Sequence, residues 1–151
     1  MGDLRELYQE VILDHSRKPR NCTALEHADR HADGYNPLCG DRVTVYIRLE
    51  GDRIQELSFQ GAGCAISTAS ASLMTEFLRG RTVAEAATLF DRFHDLVTGD
   101  PTDHEAAAPE LGKLNVFAGV REYPSRVKCA TLAWHTLHAA LKNAQVPVST
   151  E

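Results

Sequence analysis

The apolar positions of the chain begin with a helical period. Over residues 4–12 they recur three and four positions apart, which predicts an amphipathic helix that ends before Pro19. The next segment, 21–37, mixes glycine, proline, asparagine and charged residues without a clear period. We interpret this segment as a loop with room for one short strand.

The period of the apolar positions then changes to two. Residues 42–50 alternate apolar with polar side chains, as in a strand that buries one face. The Glu-Gly-Asp sequence at 50–52 is a turn signal, and the apolar residues of 54–60 predict a returning antiparallel strand. Together these segments predict a β-hairpin.

Helical spacing returns in the second half of the chain. Residues 66–78 predict a helix that stops at Gly80, and Thr82 with Glu85 forms a capping box for a second helix over 83–93. A polar loop follows at 98–108, and then a short helix at 111–120.

A closing helix and a frayed tail complete the predicted elements. Ser125 is the expected cap of a helix whose apolar residues run from 127 to 141, and the tail after Lys142 is expected to fray. Because strands come early and helices late, we predict an α+β fold with helices packed on one face of a small antiparallel sheet. The chain length of 151 residues predicts a single domain, 1–151.

Charge and cysteine content narrow the classes of function. Sixteen Lys and Arg against 21 Asp and Glu give a net charge of −5, which argues against nucleic acid or an anionic membrane as the main partner. No apolar stretch approaches the roughly 20 residues that a bilayer requires, and the N-terminus lacks the pattern of a signal peptide. We therefore expect a cytoplasmic protein whose four cysteines stay reduced.

Three of these cysteines lie at the ends of predicted elements. Cys39 precedes the hairpin and Cys64 follows it, so both belong to one end of the sheet, together with Asp41. Cys129, near the start of the closing helix, reaches the same end if that helix packs with its N-terminus toward the cysteines. Three sulfurs and one carboxylate suit zinc, or iron in a sulfide cluster. Cys22 has no comparable neighbours and is interpreted as structural or incidental.

The donor set indicates exchangeable rather than purely structural coordination. No two cysteines form a C-x2-C knuckle, and a hard carboxylate is a weaker ligand than the thiolates around it. Among the histidines, His135 and His138 lie three apart on the closing helix and are able to share a metal. The apolar face that carries His138 nevertheless favours a packed core residue.

Three motifs surround these cysteines: Asn-Pro-Leu-Cys-Gly-Asp at 36–41, Gly-Ala-Gly-Cys-Ala-Ile-Ser at 61–67 and Arg-Val-Lys-Cys-Ala at 126–130. In this order they resemble the NifU-like and IscU-like iron–sulfur cluster assembly proteins, most closely the SufU type. Lys128 stands where the IscU branch has a histidine, and the Leu-Pro-Pro-Val-Lys segment of that branch is absent. The long stretch between the second and third motifs also resembles the SufU insertion.

The resemblance implies an α+β fold and a metal site of Cys39, Asp41, Cys64 and Cys129. It further implies zinc as cofactor, a SufS-type cysteine desulfurase as partner, and relay of sulfur to a downstream cluster scaffold complex. The chain would then be a sulfurtransferase-type relay partner rather than a stand-alone enzyme. We hypothesise that Cys39 accepts the sulfur after a histidine of the desulfurase replaces it on zinc, and that Arg126 assists.

Three alternatives remain open at this point. The same ligands suit a scaffold on which a [2Fe–2S] cluster is assembled and passed to apo-proteins. A zinc hydrolase requires a general base, and no His or Glu adjoins any of the three cysteine motifs. Zinc with a purely structural role predicts that chelation unfolds the domain.

Overall fold

The computed structural model describes residues 3–37, 40–98, 109–122, 124–142 and 148–149. Four helices, four strands and one 3₁₀ segment are formed by the described residues. They are α1 (Asp3–Arg17), β1 (Arg30–Asn36), β2 (Asp41–Glu50), β3 (Arg53–Ala62), α2 (Ala65–Leu78), α3 (Val83–Thr98), the 3₁₀ segment (Pro109–Glu122), α4 (Pro124–Leu141) and β4 (Val148–Ser149).

The sheet has the strand order β3-β2-β1-β4. Strands β1, β2 and β3 pair antiparallel, whereas the short β4 runs parallel to β1. Helix α4 packs on β1 and β2, and α2 packs on β3 and α4. The predicted α+β fold, with helices on one face of a small antiparallel sheet, is confirmed.

The hairpin follows the alternation of the sequence. Val43, Val45 and Ile47 are buried, whereas Arg42 and Arg48 on either side of this run are exposed. The turn is the two-residue loop 51–52, where the backbone adopts a positive φ of 64° at the glycine. This conformation favours glycine in tight hairpins.

The segment 21–37 holds a longer strand than its sequence pattern indicates. β1 covers seven residues and contributes a glycine, Gly34, to the buried face. A Cβ at this position would lie 2.0 Å from Thr136 Oγ1 of α4. The close approach of α4 therefore requires the glycine, which removes the apolar period that would have revealed the strand.

The structure confirms the predicted end of α2 and the predicted capping box of α3. α2 ends before Gly80, which has a φ of 87°. The capping box before α3 is present, since the Thr82 amide donates to Glu85 Oε1 and the Glu85 amide donates to Thr82 Oγ1, both at 3.1 Å. In α1, Val11 and Ile12 pack against the core. The side chains predicted to extend this face, Leu4, Leu7 and Tyr8, lie outside the described part of the structure.

Three local predictions are wrong. α4 begins at Pro124, so Ser125 lies inside the first turn instead of capping it, as suits a proline at a helix start. The predicted short helix is a 3₁₀ segment interrupted at Gly112, where φ is 51°. Part of the tail pairs as β4 instead of fraying, since Val148 is opposite Gly34. Residues 99–108 of the predicted loop lie outside the described residues.

The core forms where α2, α3, α4 and the sheet meet. Trp134 is fully buried and stacks on Phe93 with ring centres 4.4 Å apart. Its indole nitrogen donates to Ser70 Oγ at 3.2 Å, and that hydroxyl in turn donates to the carbonyl of Ala130. These contacts fix α4 against α2. Among the described residues, no helix is both long enough and apolar enough to cross a membrane.

A buried polar cluster joins α1 to the second half of α2, and we call it the His15 cluster. His15 Nδ1 lies 2.7 Å from Ser72 Oγ, which also accepts the backbone amide of Arg20 at 2.8 Å. Asn21 Nδ2 donates to Thr75 Oγ1 at 3.1 Å, and Thr75 Oγ1 donates to the carbonyl of Ser72. The cluster fixes the chain after α1 against α2.

Candidate metal centre

Asp41, Cys64 and Cys129 converge at one end of the sheet. A carboxylate oxygen of the first and the Sγ atoms of the other two all lie within 4.8 Å of one another. Asp41 and Cys129 are buried, whereas Cys64 is exposed. The group therefore opens to solvent on the side of Cys64.

Three separate elements deliver these side chains. Asp41 is the first residue of β2 and pairs with Asn36, the last residue of β1. Cys64 follows β3 and caps α2, while Cys129 lies in the second turn of α4. The hairpin therefore brings the first two together, and only the packing direction of α4 adds the third.

The Asp41 carboxylate has two different roles at this site. Its Oδ1 accepts the backbone amide of Cys64 at 2.9 Å, and its Oδ2 lies 3.7 Å from Cys64 Sγ. A Cβ on Gly63 would lie 2.8 Å from Oδ1 and 3.1 Å from Cγ of this carboxylate. The glycine therefore leaves the space that the carboxylate occupies.

The Cys64 side chain serves as the N-cap of α2. Its Sγ accepts the backbone amide of Ser67 at 3.4 Å. A helix N-terminus stabilises negative charge through its unpaired amides and its dipole. The cap therefore fixes the Cys64 sulfur at the start of α2, beside Asp41.

Asn36 connects the β1–β2 turn to Cys129, a role that the sequence analysis did not identify. The residue is fully buried, and its Nδ2 lies 4.0 Å from Cys129 Sγ in donor geometry. Its backbone carbonyl accepts the amide of Gly40 at 2.8 Å. The only sequence signal was its place at the start of the first cysteine motif, since the contact with α4 depends on tertiary packing.

Of the remaining predicted site residues, the structure describes Arg126 but not Cys39. Cys39 lies outside the described residues, between Pro37 and Gly40 in the sequence, and its roles as ligand and acceptor stay predictions. Arg126 is exposed in the first turn of α4, three positions before Cys129. Cys22 is exposed and does not belong to the group.

The donor set fits a zinc ion. In a tetrahedral site with Zn–S near 2.3 Å and Zn–O near 2.1 Å, the sulfur–oxygen edge measures about 3.6 Å. The separation of Cys64 Sγ and Asp41 Oδ2 is 3.7 Å. Two thiols and one carboxylate already occupy positions that a single ion can share, and they also suit iron.

Comparison with known proteins identifies the family. Residues 7–130 match the family model of the NifU-like N terminal domain. The chain belongs to this family. The match includes Asp41, Cys64 and Cys129 and ends within α4.

Named relatives of this NifU-like domain fall into two groups. The chain is 38% identical over 144 residues to the iron–sulfur cluster assembly scaffold protein IscU of Streptococcus pyogenes, with 95% of this chain and 88% of the relative covered. It is also 38% identical over 136 residues to the zinc-dependent sulfurtransferase SufU of Bacillus subtilis, with 90% of each covered. Identity alone therefore does not separate the two roles.

A solved structure supports the assignment to this family. SufU of Fervidobacterium islandicum, described as an iron–sulfur cluster assembly scaffold protein for the SUF system, superposes with a TM-score of 0.77 at 36% identity, over 91% of this chain and 98% of that one.

Proposed function

We propose that this NifU-like domain accepts sulfur from the persulfide of a SufS-type cysteine desulfurase and relays it to a downstream cluster scaffold complex. The observation that carries the proposal is the convergence of Asp41, Cys64 and Cys129 within 4.8 Å at the end of the sheet. The name of the Bacillus subtilis relative, a zinc-dependent sulfurtransferase, supports the same chemistry.

Zinc is the proposed cofactor of this site. Asp41, Cys64 and Cys129 would hold it, and Cys39 is the proposed fourth ligand. When bound, the ion supplies positive charge that keeps the thiols deprotonated at neutral pH. The carboxylate is a harder and weaker donor than sulfur, which favours ligand exchange.

Cys39 is the proposed acceptor. Its thiolate attacks the outer sulfur of the desulfurase persulfide, and a new S–S bond forms as the old one breaks. The desulfurase cysteine leaves as a thiolate, and the outer sulfur stays on Cys39 with its proton, so electrons and charge balance. The exposed guanidinium of Arg126 is proposed to stabilise the freed Cys39 thiolate.

The proposal is tested by desulfurase turnover in the presence of the purified chain. The wild-type chain is expected to accelerate turnover, and Cys39→Ala is expected to return it to the rate of the desulfurase alone. Cys22→Ala is the matched control, because Cys22 is an exposed cysteine outside the group. Unchanged acceleration by Cys39→Ala would rule out the assignment of the acceptor.

A second candidate function is a scaffold for [2Fe–2S] assembly. The name of the Streptococcus pyogenes relative favours it, and the Asp41, Cys64 and Cys129 donors suit iron as well as zinc. Anaerobic incubation with iron and sulfide separates the two functions. A scaffold becomes coloured and transfers its cluster to an apo-protein, whereas a zinc-dependent acceptor stays colourless and still stimulates the desulfurase.

A further inference from the structure

We propose that His94 of α3 and His135 of α4 form a second metal site, which takes a divalent transition-metal ion through imidazole nitrogens. The site lies on the α3–α4 face and shares no residue with the Asp41, Cys64 and Cys129 group. It is independent of the proposed function in sulfur transfer. The sequence analysis considered His135 with His138 and favoured a core role for His138, whereas the packing of α3 against α4 brings His94 next to His135.

The distance between the two rings is close to that of a bound pair. The ring centres of His94 and His135 lie 6.0 Å apart, and the ring planes make an angle of 77°. Two imidazoles on one tetrahedral ion have ring centres roughly 5 Å apart, given a metal–nitrogen distance of about 2.0–2.1 Å. A shift of about 1 Å therefore brings the two ring centres to the separation of a bound pair.

Phe90 limits the orientations of the histidine rings around it. Its ring centre lies 5.2 Å from that of His135 in an edge-on arrangement, and 5.5 Å from that of His138. His94, one turn further along α3, stacks nearly parallel to Phe90 at 6.3 Å. Rings held in this way lose little conformational entropy when they bind an ion.

The lowered pKa of His135 also favours metal binding over protonation of this ring. Burial, together with the neighbouring His94 and His138, lowers the pKa of His135 below its usual value. The neutral ring that binds metals is therefore the prevailing form at neutral pH. All three histidines are half-buried, so an ion in solution has access to them.

Trp134 provides a signal for the test. It is the only tryptophan of the chain, and its ring centre lies 6.4 Å from that of Phe90. Protein preloaded with one equivalent of zinc is titrated with Ni²⁺, which quenches nearby indole fluorescence and prefers imidazole to carboxylate oxygen. We expect saturable quenching by one equivalent of Ni²⁺, without release of zinc to a chromogenic indicator.

Single substitutions locate the site. His94→Gln and His135→Gln are each expected to weaken Ni²⁺ binding at least tenfold, whereas His138→Gln changes it less than threefold. His27→Gln is the matched control and leaves the titration unchanged, because His27 is exposed and outside the cluster. Circular dichroism verifies that each variant is folded. In the wild type, NMR identifies the histidines whose imidazole ¹⁵N resonances are broadened by Ni²⁺.

Three results would overturn the proposal. They are no saturable quenching in the wild type, the same midpoint in His94→Gln and His135→Gln as in the wild type, and quenching that tracks the release of zinc. Broadening of the imidazole resonances of other histidines, and not those of His94 and His135, would likewise assign the ion to a different site.

Discussion

Helix α2 carries one polar cluster in its second half and another at its N-terminus, and the two differ in how their polar groups are paired. In the His15 cluster, Ser72 Oγ lies 2.7 Å from one ring nitrogen and accepts a backbone amide at 2.8 Å. At the N-terminus, Cys64 Sγ and Asp41 Oδ2 lie 3.7 Å apart, and Cys129 Sγ joins them within 4.8 Å. The first cluster pairs donors with acceptors, whereas the second concentrates groups that become anionic.

The His15 cluster pairs its polar groups internally, whereas the Asp41, Cys64 and Cys129 group is a candidate metal site. Buried polar groups that pair with each other contribute to stability without an external partner. Thiolates and a carboxylate repel each other when all are ionised, so protons or a cation must be present. Five experiments test this contrast, beginning with the largest expected effect.

Removal of a thiol should affect metal binding most. Cys129→Ala is expected to lower zinc affinity by more than about 100-fold, beyond the roughly 10- to 100-fold typical of residues that only orient a ligand. Competition with a chromogenic chelator measures the affinity, and the exposed Cys22→Ala variant is the control. Equal affinities in the two variants would contradict the assignment of Cys129.

Two substitutions of Asp41 separate its two roles. Asp41→Asn keeps an oxygen that can accept the Cys64 amide but removes the negative charge, so zinc affinity should fall while stability is retained. Asp41→Ala removes both, and should cost about 1–3 kcal/mol more in the free energy of unfolding of the metal-free protein. Urea unfolding followed by Trp134 fluorescence measures this difference. Identical stability of the two variants would show that the hydrogen bond contributes nothing.

Gly63 and Gly34, which each lie close to another side chain, offer a matched pair. Gly63→Ala places a Cβ 2.8 Å from Asp41 Oδ1, and Gly34→Ala places one 2.0 Å from Thr136 Oγ1. Both should destabilise the fold by about 1–3 kcal/mol through overpacking. Only Gly63→Ala should also weaken zinc binding, by about tenfold, in folded protein. An equal loss of affinity in Gly34→Ala would mean that global strain, and not the carboxylate position, sets the affinity.

Ser72→Ala tests the His15 cluster, whose polar groups are paired by hydrogen bonds within the cluster. The substitution leaves the buried His15 ring nitrogen and the Arg20 amide without the hydroxyl that pairs with them. We expect a loss of about 1–3 kcal/mol in the free energy of unfolding. Zinc affinity of the folded variant should stay within about twofold of the wild type, since this cluster lies apart from the metal site. A tenfold change would show that the two clusters are coupled.

The pH dependence of stability should reveal the buried histidine. Burial, followed by the charge of Arg20, lowers the pKa of His15 below its usual value of 6.5. The unfolded state therefore takes up a proton first, and stability present above pH 6.5 is lost as the pH falls toward the lower pKa of the folded state. His135 contributes with the same sign.

Unfolding of the metal-free protein between about pH 7.5 and 5.5 measures this slope. His15→Gln and His135→Gln should each flatten it, whereas the exposed His27→Gln should leave it unchanged. An unchanged slope in His15→Gln would contradict the role assigned to the buried ring.

The amino-acid sequence by itself determined the elements whose signals are local. Alternation defined β2 and β3, the capping box defined the start of α3, and glycines with positive φ marked the hairpin turn and the end of α2. The cysteine positions next to these elements, together with Asp41, were enough to predict a shared metal site. These features depend on neighbours within a few residues, which a sequence pattern records directly.

Only the tertiary structure decided which distant groups meet. The strand β1 carries a glycine because α4 packs against it, so its apolar period is lost. The contact of Asn36 with Cys129 and the ring contact of His135 with His94 depend on how α4 packs against β1 and α3. Such packing is the sum of many weak contacts between separate elements, and no local pattern encodes it.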